Sequence, residues 1–279
     1  MENILLVIDG ARMDRAIIDF SCYLAKLTGS RLRAIFIEQL EADGESDKFE
    51  LFSGSGSSIV SPTHSREKQK ILQVCESNEK LFAETCISNG IDFDIRSRNN
   101  DWIELLVQET RFADAMVINP QTSFSDRPAN IPSGFARQVL EKSECPVIMA
   151  PSGFDGVEQL LFAYDGSKSC VFAIKQFAHT FPQLKNLPVT LLQIGNADDA
   201  IANDAQKINE LLDAHFPDYH FELLEGSPSN ELFGYLLGKR NMFVVMGAYG
   251  RNNVSRFFRQ STADLAMKTI NLPFFISHA

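Results

Sequence analysis

Short apolar runs alternate with longer amphipathic stretches from one end of the chain to the other. The runs lie near 3–9, 32–38, 91–97, 114–119 and 146–150, then near 159–165, 188–194, 219–225, 242–247 and 273–277. Most are near-continuously apolar, which predicts strands buried on both faces of a sheet. The stretches between them carry helical periodicity. One, "SREKQKILQVCESNEKLFAETCISNG", ends on Asn89-Gly90, as a helix C-cap does. Strands alternating with helices predict a parallel sheet covered on both faces, a doubly wound α/β sandwich.

The pattern occurs twice. "NILLVIDGARMDRAIIDFSCYLAKL" near the start has a partner in "QLLFAYDGSKSCVFAIKQFAHTF". Each passes from an apolar run through Asp-Gly (Asp9-Gly10, Asp165-Gly166) into a helical segment. The closing segments also match: "FARQVLEKSECPVIMAP" beside "TADLAMKTINLPFFISHA", each a helix, a proline (Pro146, Pro273) and a last apolar run. The expected fold is therefore two tandem doubly wound α/β sandwich domains, 1–150 and 159–279, each with a mainly parallel five-stranded sheet. "PSGFDGVE" at 151–158 is the expected linker. The segment 38–64 has no counterpart of similar length in the second half, and its Gly, Ser and acidic content suggests an excursion. It reads either as a lid or docking loop or as a plain surface insertion.

Composition narrows the partners. Of 279 residues, 44% are hydrophobic and 22% charged, as expected of a soluble globular protein with a real core. A formal net charge of −10 argues against a nucleic-acid partner. No apolar run reaches the about 18 residues needed to span a bilayer, so no membrane segment is expected. "MENILLVIDG" lacks the basic region and cleavage site of a signal peptide and reads as a first strand. The cysteines (Cys22, Cys75, Cys86, Cys145, Cys170) are odd in number and form no CxxC pair, so neither a disulfide framework nor a zinc site is expected. The histidines show no metalloprotease spacing. A cytoplasmic protein without a metal site is the expectation.

Candidate chemistry concentrates in "GAYGRNNVSRFFRQST", residues 247–262, between the run "MFVVM" and the helical "ADLAMKTI". In a doubly wound sheet, ligands bind outside the C-terminal strand ends where the strand order reverses. Asp165, Gly166, Gly195, Asn196 and the residues from Gly247 onward belong there. Gly247 and Gly250 would accept positive φ and let a ligand reach the backbone. Ser261 and Thr262 open a helix, where free N–H groups and the dipole attract an anion. Arg251, Arg256 and Arg259 add charge suited to phosphate. Each feature alone also reads as a turn glycine, a plain N-cap or a solvated charge; the combination predicts a phosphate cradle. No P-loop, no GxGxxG after the first strand and no GxSxG elbow is present.

With these residues, the chain resembles a tandem universal stress protein. Nucleotide-binding members carry G-x2-G-x9-G-[ST] between the fourth strand and fourth helix, and this chain reads Gly247-x2-Gly250-x9-Gln260-Ser261, followed by Thr262. The resemblance covers nearly all of both halves. It implies ATP or AMP as ligand, with Asp165 near the adenine and ribose and the glycine loop and Ser261 on the phosphates. Gln260 stands in place of the third glycine, which bears on ATP more than on AMP. The first half departs further: Asn119-Pro120-Gln121-Thr122 replaces Gly-x2-Gly, so its site reads as degenerate and Asp9 as a structural acid. The resemblance also implies an intrachain pseudo-dimer in which the last strands, with Val147 and Phe275, lie near each other; a homodimer of the whole chain stays open. Three functions follow: a non-catalytic adenine-nucleotide sensor or regulator acting on an unidentified protein partner, an interaction scaffold without nucleotide, and a slow ATP hydrolase. The last is weakest, because nothing in the loop supplies a general base or metal ligands.

Overall fold

The computed structural model describes residues 1–38, 62–99, 102–124, 131–195, 205–248 and 270–278. The first half runs β1 (Asn3–Asp9), α1 (Arg15–Thr28), β2 (Arg31–Glu38), α2 (Pro62–Asn89), β3 (Phe93–Asn99), α3 (Trp102–Thr110), β4 (Ala115–Ile118), α4 (Gly134–Lys142) and β5 (Val147–Met149). The second runs β6 (Gln159–Tyr164), α5 (Lys168–Thr180), β7 (Val189–Ile194), α6 (Ala205–His215), β8 (Tyr219–Leu224), α7 (Pro228–Leu236), β9 (Met242–Ala248) and β10 (Phe274–His278). The expected strands are present, in two doubly wound halves of five strands each.

Local chemistry sets the helix limits. Asp14 caps α1 by accepting from the Ala16 amide, and Gly29, in the left-handed conformation at φ 67°, closes it. Ser133 and Ser167 cap α4 and α5 in the same way, accepting from the Ala136 and Cys170 amides.

The two five-stranded sheets are joined into one. Its order is β3-β2-β1-β4-β5-β10-β9-β6-β7-β8, and every pairing is parallel except the central one. There β5 and β10 run antiparallel, with Phe274 opposite Met149, Phe275 opposite Ile148 and Ile276 opposite Val147. The expected approach of the last strands is met by direct hydrogen-bonded pairing. Each of these strands would otherwise be an open, apolar edge, a liability that pairing removes.

Alternate residues of each strand feed two core layers, one per sheet face. One layer holds Ile4, Leu6, Ile8, Phe36, Phe82, Leu160, Phe162 and Tyr164 beneath α1, α2, α5 and α6; the other holds Leu5, Val7, Ile35, Leu161 and Leu192 beneath α3, α4 and α7. Both layers continue through the join. Phe20 of α1 packs edge-on against Phe154, at 4.9 Å, and Phe243 of β9, at 6.5 Å. Phe177 of α5 and Phe181, the residue after it, meet Phe275 at 5.3 and 6.1 Å. These phenylalanines serve as packing, and the halves share their core.

Candidate functional site

Strand order reverses at two places. β1 lies between β2 and β4, and β6 lies between β7 and β9. The C-terminal ends of these strands are therefore the two switch points, one per half.

At the second, Asp165 and Gly166 follow β6 and are exposed. Gly166 has φ 76°, a left-handed backbone that an L side chain adopts only with strain, and a Cβ there would meet nothing within 4 Å among the described residues. Asp165 Oδ1 accepts from the Ser167 amide at 3.0 Å and from the Cys170 thiol at 2.6 Å. Burial, and then the Asp165 charge, pushes the Cys170 thiol up to about 12. Cys170 is therefore a fixed donor that orients the carboxylate and is not a nucleophile.

Gly247 corrects the expectation attached to it. It is a strand residue of β9 in register with Ser277, and its φ lies outside the positive range. A Cβ there would lie 2.4 Å from the Ser169 carbonyl carbon and 2.5 Å from the Cys170 nitrogen. Gly247 is needed because the first turn of α5 presses on β9. The glycine brings a helix start and Asp165 to the strand end; it does not itself open the backbone to a ligand. Gly250, Arg251, Ser261 and Thr262 lie outside the described residues, as do Asn196, Arg256, Arg259 and Gln260, and the excursion from residue 39 to 61.

The first switch point is built from the same elements and filled. Asp9, 9% exposed, accepts from the Ala11 and Arg12 amides at 3.0 and 3.1 Å, and the Arg12 guanidinium lies 3.7 Å away. These contacts hold its carboxylate within the turn that follows β1. The long α2 covers Gly10: a Cβ there would lie 2.9 Å from Cys75 Sγ, and Asn78 donates to the Gly10 carbonyl at 2.7 Å. Beyond β4, Asn119 donates to Asp14 at 3.2 Å, Ser133 donates to the Thr122 carbonyl, and Phe124 packs edge-on against Phe135 at 4.9 Å. The start of α4 is thus capped from within.

Charge separates the two ends as well. Burial and the nearby Glu79 and Glu76 raise Glu38 above the usual carboxylate range. Burial, followed by Glu38, Asp9 and Glu79, pushes the Cys75 thiol up to about 11. Acidic groups therefore crowd the first strand end, which disfavours an anion there. In the second half the register position of Glu38 falls on Gly195, which carries no charge.

Sequence reasoning missed one residue near the second switch point. Gln193, penultimate in β7, is 7% exposed, and its Oε1 finds no hydrogen-bond partner among the described residues. The only signal was a single polar letter inside "VTLLQI". A cleft of about 360 Å³, lined in part by Arg240, Asn241 and Asn271, lies at the opposite, N-terminal ends of β6, β9 and β10. Doubly wound sheets do not bind ligands at that end. Among the described residues no helix is long and apolar enough to cross a membrane, and no group of three or more His, Cys, Asp or Glu is placed to hold a metal ion.

No model of a protein family matches the chain. A universal stress protein of Synechocystis is 22% identical over 287 residues, covering 98% of each chain. Among solved structures, a universal stress protein of Archaeoglobus fulgidus is 16% identical and superposes with a TM-score of 0.66, covering 99% of this chain and 98% of that one. A Pseudomonas aeruginosa protein assigned to the same group is 14% identical, with a TM-score of 0.59 over 100% of this chain and 93% of that one. These matches span both halves at once.

Proposed function

Because the chain resembles universal stress proteins along its whole length, we propose that it is a stress-response protein that binds an adenine nucleotide, ATP or AMP, in its second half. Binding is non-catalytic, and occupancy acts as a signal to a protein partner. The carrying observation is the contrast between the switch points: the first is capped and ringed by carboxylates, whereas the second leaves Asp165 and Gly166 exposed beside the start of α5. In this reading Asp165 faces the ribose, and the stretch from Gly250 through Arg251 to Ser261 and Thr262 holds the phosphates, with Gly247 serving only to pack the start of α5 against β9. Gln260, in place of a glycine, crowds the far end of that loop and favours AMP over ATP. Five buried, unbridged cysteines support a reducing, cytoplasmic setting.

Calorimetric titration of ATP and AMP into nucleotide-stripped protein tests the site, with Gly250→Trp as the blocked control. Saturable binding at about one site per chain, lost in the control, is expected. No heat and no thermal stabilisation by either nucleotide would instead leave the scaffold reading, which the filled first switch point already favours for that half. Hydrolysis would require turnover that Gly250→Trp abolishes.

A further inference from the structure

Gln193 is buried near the end of β7, yet its Oε1 accepts no hydrogen bond among the described residues. Buried acceptors are rarely left unpaired in folded proteins, because they lose water and gain nothing in exchange. The register sets Gln193 beside Tyr164, the residue before Asp165. In the first half the corresponding pair is Ile8 beside Phe36, 2% and 0% exposed. Two apolar side chains therefore satisfy the fold at this position. The amide occurs only in the half that keeps the glycine loop, one strand away from Asp165.

We propose that Gln193 is a specificity-determining residue whose carboxamide reads the base of the bound nucleotide; this rests on the reading of the second half as a nucleotide site. A glutamine pairs with adenine through two bonds, its oxygen accepting from the exocyclic amine and its nitrogen donating to N7. On the same edge guanine presents two acceptors, O6 and N7. Whichever way the amide is turned, its oxygen then faces an acceptor, so adenine is preferred. The oxygen that finds no partner among the described residues is the half of that pair that would accept from the base.

The test is titration of AMP and GMP into the wild-type chain and into Gln193→Met and Gln193→Leu, with melting curves for each protein alone. Wild type is expected to bind AMP at least about tenfold more tightly than GMP. Gln193→Met should lose about tenfold in AMP affinity with GMP nearly unchanged, while the ligand-free variant melts about 2 °C higher, because a buried unpaired acceptor has gone. An unchanged AMP-to-GMP ratio in both variants overturns the role of Gln193 and leaves the nucleotide site standing. Wild type that binds neither nucleotide overturns both. Variants that melt well below wild type make Gln193 a structural residue and also overturn the proposal.

Discussion

The ends of β1 and β6 carry the same dipeptide, Asp-Gly, on the same strand of the same fold, yet they are used differently. Asp9 is turned inward onto two backbone amides and an arginine, under a helix that also delivers Cys75 and Asn78. Asp165 is turned outward, held at one oxygen by the Ser167 amide and the Cys170 thiol. The shared motif therefore specifies a strand end, and its neighbours decide whether that end is closed or open. α2 closes the first, and the tight contact of α5 with Gly247 frames the second.

The sharpest way to break this comparison is to ask whether the halves are separable at all. Phe275→Ala removes a fully buried ring at the join and should cost about 3–5 kcal/mol. Trp102, the single tryptophan, belongs to the first half. Its fluorescence should shift to lower denaturant together with the circular dichroism signal; a shift in dichroism alone would show that the halves unfold separately. Gly247→Ala comes next, at about 1–3 kcal/mol, since a Cβ cannot coexist with the α5 backbone. Nucleotide affinity should fall with it, measured by the same titration as above.

A smaller pair of changes sharpens the contrast directly. Asp9→Ala should cost about 1–2 kcal/mol of stability, as the loss of a backbone cap does, with nucleotide binding untouched. Asp165→Ala should change stability by less than about 1 kcal/mol while weakening AMP about tenfold. Equal effects of the two on affinity would erase the distinction between the ends. The smallest effect is that of Glu38→Gln. Folding raises Glu38, so the ionised group weakens the fold above the carboxylate range and not below it. The variant should gain a few tenths of a kcal/mol at neutral pH, and the gain should vanish as pH falls through the carboxylate range, read from denaturation midpoints.

Much of this was legible in the residues. Continuous apolar runs marked the inner strands, because a sheet covered on both faces tolerates little else, while the edge strands β3 and β8 alternate apolar with polar residues. The doubled Asp-Gly marked both switch points. What was not legible depends on contacts between distant segments. Nothing local to Gly10 announces that α2 will bring Cys75, Asn78 and Glu79 over the first strand end. Nothing around Gly247 reveals that Ser169 and Cys170 press on it, so a packing glycine read as a ligand glycine. Gln193 was hidden differently: one polar residue in an apolar run has a meaning only beside its first-half counterpart, Phe36. The phosphate half of the proposed site, from Gly250 to Thr262, lies outside the described residues and is carried by its motif.

The central pairing also has a consequence for how the chain is made. β10 fills the gap between β5 and β9, so two strands lack a neighbour until the tenth has been synthesised. A ribosome that has delivered nine strands holds a nascent chain with two apolar edges facing each other and nothing between them. Such edges recruit foreign strands as readily as the proper one. Until the short segment Phe274 to His278 pairs on both sides, a chain in this state would be a client for chaperones and a seed for aggregation.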